Sequence, residues 1–128
     1  MAMNIWYSTG ECRELSNLAL RPFTDDAGNK YQSVEHAYQS WKGGSFDATT
    51  YNKKWDKAGT KHIGKLGTKT KGNWNITLMG KIMEKSFQQN PKSHKALRAT
   101  KGTTLTHTQD RGVWKTQFPK ILMQIRNS

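Results

Sequence analysis

Apolar positions along the chain recur mostly at helical spacing and only briefly with the alternation of a strand. Val34, Ala37, Tyr38 and Trp41 fall on one face of a helix expected from about Val34 to Lys42. Ser33 can cap its start through its hydroxyl, and Gly43-Gly44 ends it. Asp47 can open a second helix running to about Ala58, and a short third is expected from Thr60 to Leu66, closed by Gly67. The longest pattern begins at Asn73-Trp74-Asn75, with Ile76, Met79, Ile82 or Met83, and Phe87 on one face through to Gln89. Asn90-Pro91 reads as a cap followed by proline at the first helical position, which predicts another helix to about Ala99. Phe118, Ile121, Leu122 and Ile125 form the last apolar face, on a helix over 118–126.

Strand-like runs are fewer and shorter. They are Ile5-Trp6-Tyr7, Arg21 to Thr24, Lys30-Tyr31-Gln32 and Thr103 to Thr108, with Gln109 to Trp114 read as a loop. Asp25 to Asn29 has the composition of a turn, so the second and third runs should pair as a hairpin. The expectation is one domain over 1–128, mainly α (α+β), with a small antiparallel β-sheet and no linker or repeat. Its core should include Val34, Ala37, Trp41, Ile76, Met79, Met83, Phe87, Leu97, Ile121, Leu122 and Ile125.

Composition adds a constraint on how that core is filled. Only 34% of the 128 residues are hydrophobic, but five Trp, four Tyr and four Phe supply large buried surfaces. A chain of this length can bury about two-thirds of the surface that it exposes when unfolded, so a globule is expected rather than disorder. Twenty-one Lys and Arg against nine Asp and Glu give a net charge of +12, which favours a polyanionic partner or a phosphorylated substrate over a neutral one. The alternative is a solvated basic surface. Cys12 is the single cysteine and cannot form an internal disulfide, which points to a reducing, cytoplasmic setting. No apolar run approaches a membrane span, and the N-terminus lacks a signal-peptide pattern, so no membrane partner is expected.

The candidate chemistry lies on the helix after Ser33. Glu35, Gln39 and Lys42 form a polar stripe beside the buried face, and Glu35 stands in the first turn, where the helix dipole favours a negative charge. It is a candidate general base, with an ordinary dipole partner as the alternative. Asn17 can donate and accept through one amide, which suits it to orient a ligand or to cap a loop. The four histidines, His36, His62, His94 and His107, lack zinc-type spacing, and neither a Walker loop nor a dinucleotide fingerprint is present, so no metal or cofactor is expected.

The phrase Ser33-Val34-Glu35-His36-Ala37-Tyr38-Gln39, followed by Lys42, resembles the signature helix of the NADAR family, the YbiA-like N-glycosidases linked with NAD and ADP-ribose metabolism. Leu15-Ser16-Asn17 followed by Pro22-Phe23 resembles the opening of that family, and Ala58 with Gly64-Lys65-Leu66-Gly67 its short middle helix. Trp74, Met83, Lys85, Phe87, Asn90, Leu97, Thr100 and Gly102 follow its order in the second half. The chain departs from the pattern where Thr68 replaces a basic residue, where His107 or Thr108 replaces a carboxylate, and where Asp110 and Trp114 are one residue further apart and Lys115 replaces a glycine.

The resemblance implies a compact divergent member with a YbiA-like fold. Glu35 and Asp110 would be catalytic, and Ser16, Asn17, Gln39, Lys42, Trp74 and Trp114 would bind substrate. Hydrolysis of an N-glycosidic bond passes through an oxocarbenium-like ribose, so a carboxylate is needed to offset positive charge and align water. Asp110 would bind ribose hydroxyls or share that electrostatic work, and Trp74 or Trp114 would stack on the base. His107 is expected to be an exposed strand histidine, with proton donation to the leaving base as its other reading. Three functions follow as expectations: removal of ADP-ribose from a nucleobase such as guanine in DNA, N-glycosidase action on ribosylamino intermediates of riboflavin synthesis, or a catalytically weak module binding DNA or RNA. The expected partner is an ADP-ribose-type or ribosyl-phosphate substrate.

Overall fold

Ser33 turns the chain into its first long helix, and the elements before and after it pack around that entry. The computed structural model describes residues 2–5, 13–17, 19–52, 74–108 and 112–128. Strand β1 (Ala2–Asn4) leads to a 3-10 turn over Arg13–Leu15, then to β2 (Phe23–Thr24) and β3 (Lys30–Tyr31). Helices α1 (Val34–Trp41) and α2 (Ala48–Tyr51) follow, then α3 (Trp74–Gln88), α4 (Pro91–Arg98), β4 (Thr104–Thr106) and α5 (Trp114–Asn127). The mainly helical fold with a small antiparallel sheet is therefore as expected from the sequence. The expected helix over Thr60 to Leu66 and the end of the one from Asp47 lie outside the described residues.

The antiparallel hairpin pairs Phe23 with Tyr31 and Thr24 with Lys30. Asp25 organises its turn, accepting from the backbone N–H groups of Ala27 and Asn29 and from the Tyr31 hydroxyl at 2.6 Å. Gly28, at φ 90°, occupies the left-handed region that glycine enters without strain. The hairpin is fastened to the end of α3, where Gln89 exchanges two hydrogen bonds with the Thr24 backbone and Asn90 donates to the Pro22 carbonyl.

Two features differ from the sequence expectation. Strand β1 lies just ahead of the expected Ile5-Trp6-Tyr7 run, of which Trp6 and Tyr7 fall outside the described residues, and it pairs in parallel with β4, Met3 opposite Leu105, so the strands form two separate pairs of opposite sense. Burial explains the choice: Ile5 is 0% and Leu105 2% exposed, and the Ile5 N–H continues the ladder to the Thr106 carbonyl at 2.9 Å. Helix α5 starts at Trp114, four residues before the expected Phe118, and contains Pro119. Pro119 is the sixth residue of α5, past the donors that a helix start leaves open, so it removes one hydrogen bond, that to the Lys115 carbonyl, while the buried face of Phe118, Ile121, Leu122 and Ile125 holds the helix through it.

The core joins α1, α3, α4 and α5. Val34, Met83, Phe87, Leu97 and Leu122 are fully buried, and Ala37, Met79, Ile121 and Ile125 nearly so. Trp41 and Ile76 are half-buried and pack against this cluster. Arg126 closes the far end, its guanidinium donating to the carbonyls of Thr100 at 3.0 Å and Thr103 at 2.6 Å, which ties α5 to the turn between α4 and β4. Among the described residues no helix is long and apolar enough to cross a membrane.

Candidate active site

The first turn of α1 is held from two directions. Ser33 accepts from the His36 N–H at 3.2 Å, and the Asn17 carbonyl accepts from the Glu35 N–H at 3.0 Å. Two of the donors that every helix leaves open at its N-terminus are thereby satisfied, one locally and one by a loop 18 positions earlier in the chain. Glu35 is half-buried, and the Gln39 side chain one turn on donates to its Oε1 at 2.6 Å. The short charge-assisted bond fixes one carboxylate oxygen in direction.

A neutral polar wall completes the surroundings. Asn75 is 2% exposed and donates through Nδ2 to the Lys42 carbonyl at 3.1 Å. Tyr38 is buried, and its pKa is pushed up to about 12, chiefly by burial, with the negative charge of Glu35 adding to the rise and the Asn75 side-chain hydrogen bond opposing it. Tyr38 stands three residues after Glu35 on α1, a spacing that puts the two side chains on neighbouring positions of the helix surface. The Asn17 Nδ2 lies 3.4 Å from the sulfur of Met79, one turn after Asn75 on α3. The amide oxygens of Asn17, Gln39 and Asn75 are buried and find no hydrogen-bond partner among the described residues. Within the described fold these oxygens are left-over acceptors, each costing about 1–3 kcal/mol for as long as it stays unmatched. Trp114 meets the Tyr38 ring edge-on, with centroids 5.6 Å apart at 86°.

Glu35, Gln39, Asn17 and Trp114 therefore converge, the first two directly and the others through backbone and Tyr38. Lys42 is half-buried and contributes its carbonyl to Asn75. Ser16 is buried at the loop, its carbonyl accepting from Arg21 at 2.7 Å. Trp74 opens α3 next to Asn75, with its side chain outside the described residues, and Asp110 lies outside them altogether.

His107 corrects the expectation of an exposed strand position. It is half-buried just beyond β4, its Nδ1 donates to the Ile5 carbonyl at 2.8 Å, and its ring packs 4.6 Å from that of Phe118. The parallel pairing of β1 with β4 brings that carbonyl to it. Tyr38 and Asn75 are site residues that sequence reasoning missed. Tyr38 reads as core by its helical phase, and Asn75 carried only the weak signal of an amide inside an otherwise apolar helical pattern.

The arrangement can align a water with an oriented carboxylate and present an aromatic face nearby, as hydrolysis of a glycosidic bond requires. Among the described residues no group of three or more His, Cys, Asp or Glu side chains is placed to hold a metal ion.

No protein-family model and no curated protein matches the sequence. A solved structure does match: the NMR structure of the E. coli protein YbiA aligns over 99% of this chain and 83% of its own length, with 21% identity and a TM-score of 0.72. The chain thus has a YbiA-like fold.

Proposed function

We propose that the protein is an N-glycosidase that hydrolyses the bond between a ribose carbon and a nucleobase nitrogen, with an ADP-ribosylated base, such as guanine in DNA, as the substrate class. The observation that carries this reading is the Glu35 carboxylate, held by the Gln39 amide at 2.6 Å on a helix turn whose Glu35 N–H is capped by the Asn17 carbonyl, one turn before a Tyr38 that hydrogen-bonds to Asn75. The YbiA-like fold and the signature phrase around Glu35 support it.

In this reading a water attacks the anomeric carbon as the C–N bond breaks. Glu35 receives the proton of the water and offsets the positive charge that develops on the ribose. The base departs with the bonding pair and takes up a proton from solvent, and Glu35 then releases its own proton to solvent, so the sum is water added across the C–N bond. Neutral amide oxygens suit the hydroxyls of the sugar, which can donate to Asn17, Gln39 and Asn75 once the site opens to admit them. Trp114 offers a stacking face, Trp74, Ser16 and Lys42 are assigned to substrate by their resemblance to the family's signature, and Asp110, whose spacing departs from it, binds ribose hydroxyls or shares the electrostatic work. The phosphates find a favourable field in the +12 chain.

The experiment is a mass-spectrometric assay of one protein preparation against ADP-ribosylated DNA and against ribosylamino intermediates of riboflavin synthesis. Release of ADP-ribose from DNA supports the reading, whereas cleavage of the riboflavin intermediates alone moves the substrate class to the second expectation. Inertness toward both, with binding to DNA that weakens steeply with salt, would leave a nucleic-acid-binding module and overturn the enzymatic reading.

A further inference from the structure

Arg21 is a fully buried cation that the chemistry above does not use. It is 1% exposed, and no carboxylate of the described residues pairs with it. One guanidinium nitrogen donates to two carbonyls, those of Glu14 and Ser16, each at 2.7 Å. Its Nε donates to the Ser86 hydroxyl of α3 at 3.1 Å, and its carbon lies 4.3 Å from the centre of the Phe87 ring. Burial lowers its pKa to about 9, which still leaves it charged at neutral pH.

Burying a charge without a counter-charge is expensive, and an apolar side chain of similar volume would fill the space at lower cost. What Arg21 gains in exchange is geometric. The two carbonyls that it grips bracket the end of the 3-10 turn, and the next residue after Ser16 is Asn17, whose carbonyl caps the Glu35 N–H at 3.0 Å. The loop bends back on its own residue as well, since the Arg21 N–H donates to Ala19 and the Ala19 N–H to Ser16. A planar fork with several fixed donors can hold two carbonyls and a hydroxyl at once, which an ammonium on a flexible stem cannot do with the same directionality.

We infer that Arg21, braced by Ser86, is a positioning residue that clamps the Ser16-Asn17 segment between α3 and the N-terminus of α1, and thereby sets the placement of Asn17 and Glu35 for the reaction. This rests on the reading of Glu35 as the catalytic carboxylate, so the test has one arm that does not depend on activity.

Arg21→Lys keeps a cation but loses the fork, and Ser86→Ala removes only the brace on Nε, so the second variant remains informative if the first does not fold. Amide hydrogen exchange is followed at Glu35, capped by Asn17, and at Leu122, in the core of α5. The inference expects Glu35 to exchange on the order of tenfold faster relative to Leu122 in each folded variant, because the loop loosens locally. It also expects kcat on the substrate cleaved by the wild type to fall on the order of tenfold with KM changed by less than about threefold, since a small misplacement reduces turnover more than binding. Parallel acceleration at Glu35 and Leu122, or an unchanged kcat in a variant whose Glu35 amide is loosened, would overturn it. If the wild type cleaves no N-glycosidic bond, the proposed function fails while the exchange arm still decides whether Arg21 clamps the loop.

Discussion

Acidification should destabilise the protein through His36, and the direction follows from which ring nitrogen carries a proton. The Gln32 N–H is 3.2 Å from Nδ1, and an N–H can only donate, so Nδ1 accepts. The Tyr51 carbonyl is 3.0 Å from Nε2 and can only accept, so Nε2 donates. Both bonds together require the neutral imidazole. The ring is 6% exposed, stacks on Tyr51 with centroids 5.2 Å apart and meets the edge of Tyr31. Burial lowers its pKa below the ordinary 6.5, partly offset by the Tyr51 carbonyl. Below that ordinary value the unfolded chain holds a proton that the native state refuses, so this contribution to stability is complete above pH 6.5 and is lost as pH falls toward the native pKa. One proton sets a slope of at most about 1.4 kcal/mol per pH unit. Urea unfolding between pH 8 and 5 measures it, in a range above the titration of Asp25, whose lowered pKa acts only at more acid pH. His36→Gln retains a donor toward Tyr51 and cannot take the proton, so subtracting its stability curve from that of the wild type removes the other histidines. Parallel curves across the range would refute the tautomer assignment.

Core and cap residues give sharper stability effects. Phe87→Ala removes a fully buried ring that also lies under Arg21, and should cost about 3–5 kcal/mol by urea unfolding. Ser33→Ala deletes the cap of α1 and should cost about 1 kcal/mol, with faster amide exchange at His36 as its local sign. The Lys85–Asp26 pair, at 2.7 Å but with Asp26 95% exposed, should contribute less than about 1 kcal/mol in a double-mutant cycle and nothing measurable in high salt.

Local signals carried most of the fold. The helical faces around Val34, Met83, Leu97 and Leu122 were legible because periodicity and capping residues agree within each segment. The pairing of β1 with β4 was not, since Met3 and Leu105 are about a hundred positions apart and a three-residue strand has no pattern that names a partner or its direction. The start of α5 was missed because Phe118-Pro119 mimics a helix beginning. At the site, Glu35 and Gln39 share a face by spacing alone, and their contact followed from it. Arg21 was illegible: in a chain with 21 basic residues, nothing local separates a guanidinium buried over Phe87 from one in water.

The central claim, that Glu35 is the reacting carboxylate, is tested most directly by Glu35→Gln, measured for both hydrolysis and melting temperature on one preparation. The amide preserves shape but can neither take a proton from water nor offset an oxocarbenium charge. Turnover should fall by on the order of a hundredfold or more, about 3 kcal/mol of barrier, while substrate binding persists and stability changes by no more than about 1 kcal/mol. A folded Glu35→Gln protein that hydrolyses at near the wild-type rate would contradict the account and move the chemistry away from the first turn of α1.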